Sequence, residues 1–179
     1  MVGVAGMKGK QTIWDMVRSL AVIGVAVAAI YVFIPHDDDA DPTRVIDYRV
    51  ELITARRAAP YPVAAPAGLG EDWRATSVSY SRKDGNVWHL GFLTPDEQYV
   101  AVEQSSLPAQ QFVPKVTQRA EAAEGGAVEL DGRVWQPWDG PKYRALVLEE
   151  QGLVTVVTGT GSMEQLKAMA GSLEFSRAS

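Results

Sequence analysis

The hydrophobic pattern divides the chain into one long uncharged stretch near the N-terminus and a remainder in which apolar and polar residues alternate. Residues 19–34 read SLAVIGVAVAAIYVFI and contain no charged residue. Basic residues precede this stretch, and a proline and an aspartate cluster follow it. Counted from Ile13, a helix through this stretch spans roughly 33 Å, which suffices for a hydrocarbon core of about 30 Å. We therefore expect one transmembrane helix over residues 13–35.

The residues at the ends of this segment indicate its orientation. Trp14 and Tyr31 suit the two membrane–water interfaces, and Arg18 can extend its guanidinium to the headgroups. Because Lys8, Lys10 and Arg18 lie on the short leading side, we expect a cytoplasmic N-terminus. The segments that this topology predicts are a cytoplasmic tail (1–12), the transmembrane helix (13–35), an acidic tether (36–45), an extracytoplasmic domain (46–175) and a tail (176–179).

A cleaved signal peptide is the alternative for the same stretch. Ala26 and Ala28 offer a small-residue cleavage site, but the apolar core before them barely reaches the required length. Cleavage there would also leave the apolar IYVFI segment near the new N-terminus. The pattern favours the anchor. A lipoprotein anchor is excluded, because the chain has no cysteine.

Beyond residue 73 the hydrophobic period changes to two, which is typical of strands with one buried face. The strands predicted from this pattern are 75–80, 87–93, 99–104, 127–130, 133–138, 143–149 and 153–158. Turn pairs mark the hairpins between several of them, at Asp84-Gly85, Asp131-Gly132 and Gln151-Gly152. Hairpin-linked strands with interspersed helices indicate an α+β domain, in which helices pack on an antiparallel sheet.

Two segments before and within this array are less regular. Residues 46–58 fit either a short strand or a helix of about ten residues, and prolines make residues 59–72 an extended connector. Another helix is expected after Pro108 and is either kinked at Pro114 or begins near Val113. It is expected to end before the Gly125-Gly126 pair.

The last helix, over residues 163–173, has a clear start. Ser162 and Gln165 form a capping box, in which each side chain satisfies a free amide group of the other residue. The preceding TGTGS loop (158–162) superficially resembles a phosphate-binding loop. However, Glu164 occupies the position of the third glycine, and its carboxylate would repel phosphate. The pattern favours a turn that enters a capped helix.

Charge and composition restrict the possible partners. The chain has a formal net charge of −5, and residues 36–179 carry 14 basic and 21 acidic residues, a net charge of −7. A domain this acidic is a poor nucleic-acid binder and is repelled by anionic lipid surfaces. The absence of cysteine excludes disulfides, thiolate metal sites and thiol catalysis. An extracytoplasmic domain without disulfides favours a bacterial envelope.

The residue types that carry catalysis are sparse. His36 and His89 are the only histidines, and no nucleophile or metal-ligand motif accompanies either. His89 lies opposite the apolar face of its strand, and the sequence indicates no partner for it, so we interpret it as an exposed residue. We therefore assign no catalytic, cofactor-binding or metal-binding residue. The adjacent Arg56 and Arg57 could bind an anion, but the polar face of a helix explains them more simply.

The densest aromatic cluster is the segment WQPWDG, which holds Trp135 and Trp138. Two residues three apart in a strand point to opposite faces. One tryptophan is therefore expected in the core, and the other is a candidate binding surface for a sugar, a peptide or a partner protein. A proline bulge that lets both tryptophans pack is the simpler explanation.

The order of motifs is similar to that of a known family. These motifs are KGKQTIWDMVRSLAVIGVAVAAIYVFIP, VIDYRVELITARRAAPYPVAAPAGL, WRATSVSY, WHLGFLTPDEQYVAVEQS, YRALV and VVTGTGSMEQLKAMAGSL. They resemble the actinobacterial, membrane-anchored domain of unknown function 4245, and the resemblance extends from about Lys8 to Leu173. The resemblance implies an N-terminal anchor and an extracytoplasmic domain, and it implies no activity, cofactor or catalytic residue.

Three functions are compatible with these features of the sequence. The first is a non-enzymatic binding or accessory module of the bacterial envelope, held in the bilayer by its N-terminal helix and contacting an envelope protein or a wall component. The second is a carboxylate-based cell-wall hydrolase, which requires an acidic pair in a cleft. The third is a small-ligand sensor, which requires a largely apolar pocket between sheet and helices.

Overall fold

The computed structural model describes Trp14, residues 16–25, residue 27 and residues 45–178. The chain forms two compact units, Met1–Pro42 and Thr43–Ser179. The described residues of the first unit are helical and include Trp14 and Arg18. Tyr31 and the rest of the predicted span lie outside the described residues. Among the helices that are described, none combines the length and the apolar character needed to cross a membrane.

The second unit is built on antiparallel strands, as the period-two pattern predicted. The strands in chain order are β1 (Val63–Pro66), β2 (Arg74–Ser81), β3 (Val87–Leu93), β4 (Tyr99–Ser105), β5 (Glu121–Ala122), β6 (Val128–Leu130), β7 (Arg133–Asp139), β8 (Arg144–Glu150), β9 (Leu153–Gly159) and β10 (Leu173–Ser176). The large sheet has the order β2-β3-β4-β9-β8-β7-β5, and β6 pairs with β7. The seven predicted strands are confirmed, and their bounds are correct to within one residue.

Helices connect and cover this sheet, so the α+β prediction is confirmed. They are α1 (Arg49–Ala58), α2 (Ala109–Val116) and α3 (Met163–Gly171). The ambiguous segment 46–58 is thus helical from Arg49 to Ala58, and the predicted capping box of Ser162 and Gln165 is present at the start of α3. Helix α2 contains Pro114 and ends well before Gly125, because Gln118 and Arg119 adopt left-handed conformations with φ of 54° and 69°.

The large sheet consists of two three-stranded meanders, β2-β3-β4 and β9-β8-β7, joined through β4 and β9. Each meander leads into a helix, and the two helices cover opposite faces. Helix α3 places Leu166 and Met169 in the main core with Trp88 and Trp135. Helix α2 places Phe112 against the other face, in a smaller cluster with residues of β8 and β9. The second meander therefore has apolar side chains on both faces.

A two-stranded sheet, β1 paired with β10, closes the main core and was not predicted. A fully buried glutamine of β4 holds it in place. Gln104 accepts a hydrogen bond from the amide of Ala64 at 2.7 Å and donates one to Thr155 at 3.1 Å. The indole of Trp88 donates to the carbonyl of Ala64 at 2.9 Å. These contacts satisfy buried backbone groups of β1 that the large sheet does not reach.

Candidate functional site

The one described histidine lies in a chain of polar side chains on the sheet face opposite the main core. The Nε2 atom of His89 is 2.7 Å from the hydroxyl of Ser77, and its Nδ1 atom is 2.6 Å from a carboxylate oxygen of Glu103. The Glu103 side chain is 11% exposed and that of His89 is 22% exposed. The three residues come from three neighbouring strands, so the sheet itself fixes their spacing.

Strand register explains why these residues meet. His89 of β3 lies directly opposite Glu103 of β4, and Ser77 of β2 lies opposite Gly91, two residues further along β3. Residues directly opposite in an antiparallel pair have adjacent side chains on one face, and diagonal neighbours remain within reach. The same alternation that buries Trp88 and Leu90 turns His89 to this other face.

Gly91 provides the space in which the group assembles. A Cβ atom at this position would lie 2.4 Å from the Ser77 hydroxyl oxygen and 2.8 Å from the Tyr99 hydroxyl oxygen. Any side chain at residue 91 would therefore displace both hydroxyl groups. A glycine inside a strand weakens the strand, and it often marks a place where another group approaches closely. In this protein the groups that approach are Ser77 and Tyr99.

The carboxylate determines which atoms carry protons. Glu103 can only accept a hydrogen bond when ionised, so Nδ1 of His89 carries a proton and donates it. In the neutral ring Nε2 is then an acceptor, and the Ser77 hydroxyl donates to it. Burial acts to lower the pKa of His89, but the hydrogen bond and the negative charge of Glu103 raise it, and the net effect is a raised pKa.

Tyr99 extends the group on the side of Ser77. Burial raises the pKa of Tyr99 to about 12, although its hydrogen bond with Ser77 acts to lower it and the charges of Glu103 and Tyr143 add to the rise. Tyr99 is therefore a neutral phenol across the physiological pH range. The amide of Tyr99 donates to the hydroxyl of Thr160 at 3.0 Å, which attaches the start of β4 to the loop after β9. We call Ser77, His89, Tyr99 and Glu103 the His89 network.

The His89 network has two chemical capacities. Its groups present hydroxyl and imidazole atoms in fixed positions, which suits recognition of a polar ligand. The order serine, histidine and carboxylate also matches the arrangement in which a neutral histidine removes a proton from a serine nucleophile. In the part of the chain that the structure describes, no cluster of three or more histidine and acidic side chains could hold a metal ion.

The tryptophan pair that the sequence singled out is divided between two environments. Trp135 is fully buried in the main core, and its indole nitrogen has no hydrogen-bond partner among the described residues. Trp138 is half-buried and packs in the smaller cluster with Phe112 and Val147. A binding role for Trp135 and Trp138 stays a prediction. The loop over residues 158–162 leads from β9 into the capped start of α3.

The interpretation of His89 as an exposed residue without a partner is wrong, because its side chain is 22% exposed and contacts Ser77 and Glu103. The sequence carries no separate signal for these partners. Ser77, Tyr99 and Glu103 belong to the polar sets of their strands, where an isolated serine, tyrosine or glutamate is common. The signal that could have found Glu103 is the hairpin register. A turn that pairs Leu93 with Tyr99 also pairs His89 with Glu103.

Comparison with known proteins adds one result. A family model described as "Protein of unknown function (DUF4245)" matches residues 8–173. A search of curated proteins found no match to the chain. The family match covers most of the chain, including the whole large sheet and the His89 network. It names no activity and no ligand.

Proposed function

We propose that the chain, which belongs to the DUF4245 family of proteins of unknown function, is a membrane-anchored binding or accessory module of the bacterial envelope. In this proposal, the N-terminal helix spans the cell membrane once, the N-terminus lies in the cytoplasm, and the α+β domain lies outside. The uncharged stretch over residues 19–34, the basic residues before it and the acidic residues after it support this topology.

The observation that carries the binding role is the His89 network. An antiparallel sheet packs stably with simple polar side chains on its solvent face, so stability alone does not require this arrangement. Here a glycine weakens β3 at residue 91, and a carboxylate, Glu103, is withdrawn from water. Groups held in fixed positions at such a cost are typical of functional sites. The His89 network is the proposed contact surface for a polar ligand or partner protein.

The proposal is tested by purifying the tagged full-length protein in a mild detergent and identifying the proteins that accompany it. Three versions are compared: the wild type, Ser77→Ala and Ser79→Ala. Ser79 is an exposed serine on the same strand that lies directly opposite His89 but makes no side-chain hydrogen bond with a described residue, so it is a matched control for loss of a hydroxyl beside the ring. We expect a partner that is retained by wild type and Ser79→Ala and reduced by Ser77→Ala. A partner held equally by all three versions would exclude the His89 network as its contact surface.

Catalysis is the second candidate function, and the order Ser77, His89, Glu103 is the observation that favours it. In such a reaction the Ser77 oxygen bonds to the carbonyl carbon of an ester or amide while its proton passes to Nε2 of His89. That proton then passes to the leaving group, and water releases the acyl group by the reverse sequence. A hydroxyl such as that of Tyr99 could donate to the developing oxyanion.

Labelling with a fluorophosphonate probe distinguishes catalysis from binding. A catalytic network predicts covalent labelling of wild type and of Ser79→Ala, and none of Ser77→Ala. Labelling should also fall in Glu103→Gln, since an amide cannot replace the carboxylate that orients the ring and stabilises its charged form. If folded wild-type protein is not labelled, the catalytic function is wrong and the binding role is unaffected.

The small-ligand sensor that the sequence suggested has a possible location. A cavity of about 340 Å³ is lined mainly by apolar residues from the segment before α1, the loop between β1 and β2, and strands β2 and β3, including Tyr48, Trp73 and Phe92. Tyr48 and Phe92 contact edge to face, with ring centroids 5.8 Å apart. The sensor and the carboxylate-based hydrolase stay predictions.

A further inference from the structure

Three arginines line one cavity at the end of α1, and none of them belongs to the His89 network. Arg56 and Arg57 form the last turn of α1, and Arg177 follows β10. Together with Ile53 and Ala178 they line a cavity of about 220 Å³. We call this cavity the arginine cleft. The described residues that line it include no acidic side chain.

Contacts between the helix and the C-terminal segment hold the cleft together. A guanidinium nitrogen of Arg177 donates to the carbonyl of Pro60 at 2.6 Å. The amide of Ala178 donates to the carbonyl of Arg56 at 3.3 Å. The second contact satisfies a free carbonyl at the end of α1, and it keeps Arg177 beside the helix.

The cleft contains cationic groups that the described part of the chain leaves without anionic partners. Neither Arg56 nor Arg57 makes an ion pair with a described residue, and the Nε atom of Arg56 is sealed from solvent without a hydrogen-bond acceptor. By contrast, Arg133 and Arg144 each lie within 3.6 Å of an acidic side chain. A buried N–H group without an acceptor costs free energy, so the position of the Arg56 side chain is not explained by the stability of the fold alone.

The helix dipole explains only part of this arrangement. Basic residues in the last turn of a helix interact favourably with its negative end, which accounts for Arg56 and Arg57. The helix dipole does not account for the unsatisfied Nε atom of Arg56 or for the presence of Arg177. Three arginines that line one cavity in a domain of net negative charge indicate a ligand with more than one negatively charged oxygen.

We propose that the arginine cleft binds a phosphate-class oxyanion. Guanidinium groups bind phosphate oxygens through paired hydrogen bonds, and the volume of the cleft accommodates one phosphate group with part of a substituent. The phosphate can belong to a free phosphate compound or to the headgroup of an anionic lipid. Both present the same oxygens, so the recognition chemistry is shared. This site does not depend on the function of the His89 network.

The test uses the full chain in an uncharged detergent, with inorganic phosphate titrated by calorimetry. We expect saturable binding in wild type and a loss of roughly tenfold in affinity for Arg57→Gln, which removes one charged donor. Arg144→Gln removes the same charge elsewhere on the domain and should bind like wild type. Acetate at the same concentration should not compete, and equal competition by acetate would overturn the phosphate class.

A second arm tests the lipid source. The full chain is placed in nanodiscs of phosphatidylcholine alone or with phosphatidylglycerol, and amide hydrogen exchange is followed over residues 53–57. Protection that needs phosphatidylglycerol and is lost in Arg57→Gln supports a headgroup phosphate, whereas phosphate binding without such protection supports a free compound. If folded wild-type protein shows neither result, the cleft is not a phosphate site.

Discussion

His89 and Glu103 face each other across β3 and β4, and 2.6 Å separates the Nδ1 atom of one from a carboxylate oxygen of the other. This contact fixes the ring tautomer and leaves Nε2 directed at Ser77. When the ring gains a second proton, Nε2 becomes a donor, and the Ser77 hydroxyl must direct its own proton elsewhere. The hydrogen-bonding pattern of the contact surface therefore changes with the protonation of one residue.

Protonation of His89 should stabilise the folded protein. Its pKa is raised in the folded state above the unperturbed value of about 6.5. The contribution is therefore fully present below about pH 6.5 and is lost as the pH rises through the folded-state pKa. NMR titration of the two histidines checks this, and Glu103→Gln should lower the pKa of His89 while His36 titrates unchanged. A His89 pKa at or below 6.5 in wild type would contradict the role given to Glu103.

Gly91→Ala should disrupt the His89 network while the strand remains paired. The added methyl group would lie 2.4 Å from the Ser77 oxygen, so the Ser77 and Tyr99 side chains must move. We expect loss of the Ser77–His89 hydrogen bond and a change in the His89 pKa, measured by NMR. Gly171→Ala is the matched control, because a Cβ atom there meets no atom within 4 Å. An unchanged His89 titration in Gly91→Ala would show that the glycine does not position the network.

Gln104→Leu should destabilise the domain by about 1–3 kcal/mol, because it leaves the buried amide of Ala64 without an acceptor. The loss should be seen in urea unfolding of the full-length protein, as a lower midpoint. Gln111→Leu makes the same replacement at an exposed position of α2 and should change the free energy of unfolding little. Equal effects of the two substitutions would mean that Gln104 does not hold β1 to the sheet.

Gly159→Ala should be among the most damaging single-methyl additions in the domain. A Cβ atom at residue 159 would lie 1.9 Å from the carbonyl oxygen of Tyr99, which is backbone and cannot rotate away. The pairing of β4 with β9 joins the two meanders, so the shift must distort the centre of the sheet. We expect a large fall in thermal stability or a failure to fold, whereas the Gly171→Ala control should unfold near the wild-type temperature.

The parts of the fold that sequence could predict are those set by local patterns. Period-two alternation located the seven strands, and the Ser162–Gln165 pair located the start of α3. Strand β1 escaped prediction because its residues, VAAP, do not alternate and include a proline. Its pairing with β10 depends on segments more than a hundred residues apart. No local pattern encodes such a contact.

The candidate site was only partly predictable, because some of its contacts depend on how distant strands pair. The face on which His89 lies followed from the apolar residues beside it, and its pairing with Glu103 was available from the hairpin register. The position of Ser77 beside His89 could not be predicted. A five-residue turn, 82–86, joins β2 to β3, and several strand registers fit such a turn. The three arginines of the cleft likewise meet only because β10 returns the C-terminal segment to α1.

The most direct test of the contact surface is chemical modification of histidine with diethylpyrocarbonate, in native membranes and in purified protein. The chain has two histidines, so His36 is an internal reference for the reactivity of His89. If a ligand or partner covers the His89 network, the reactivity of His89 relative to His36 should be lower in native membranes than after purification. The same relative reactivity in both preparations would contradict the proposal that this surface is occupied in the cell.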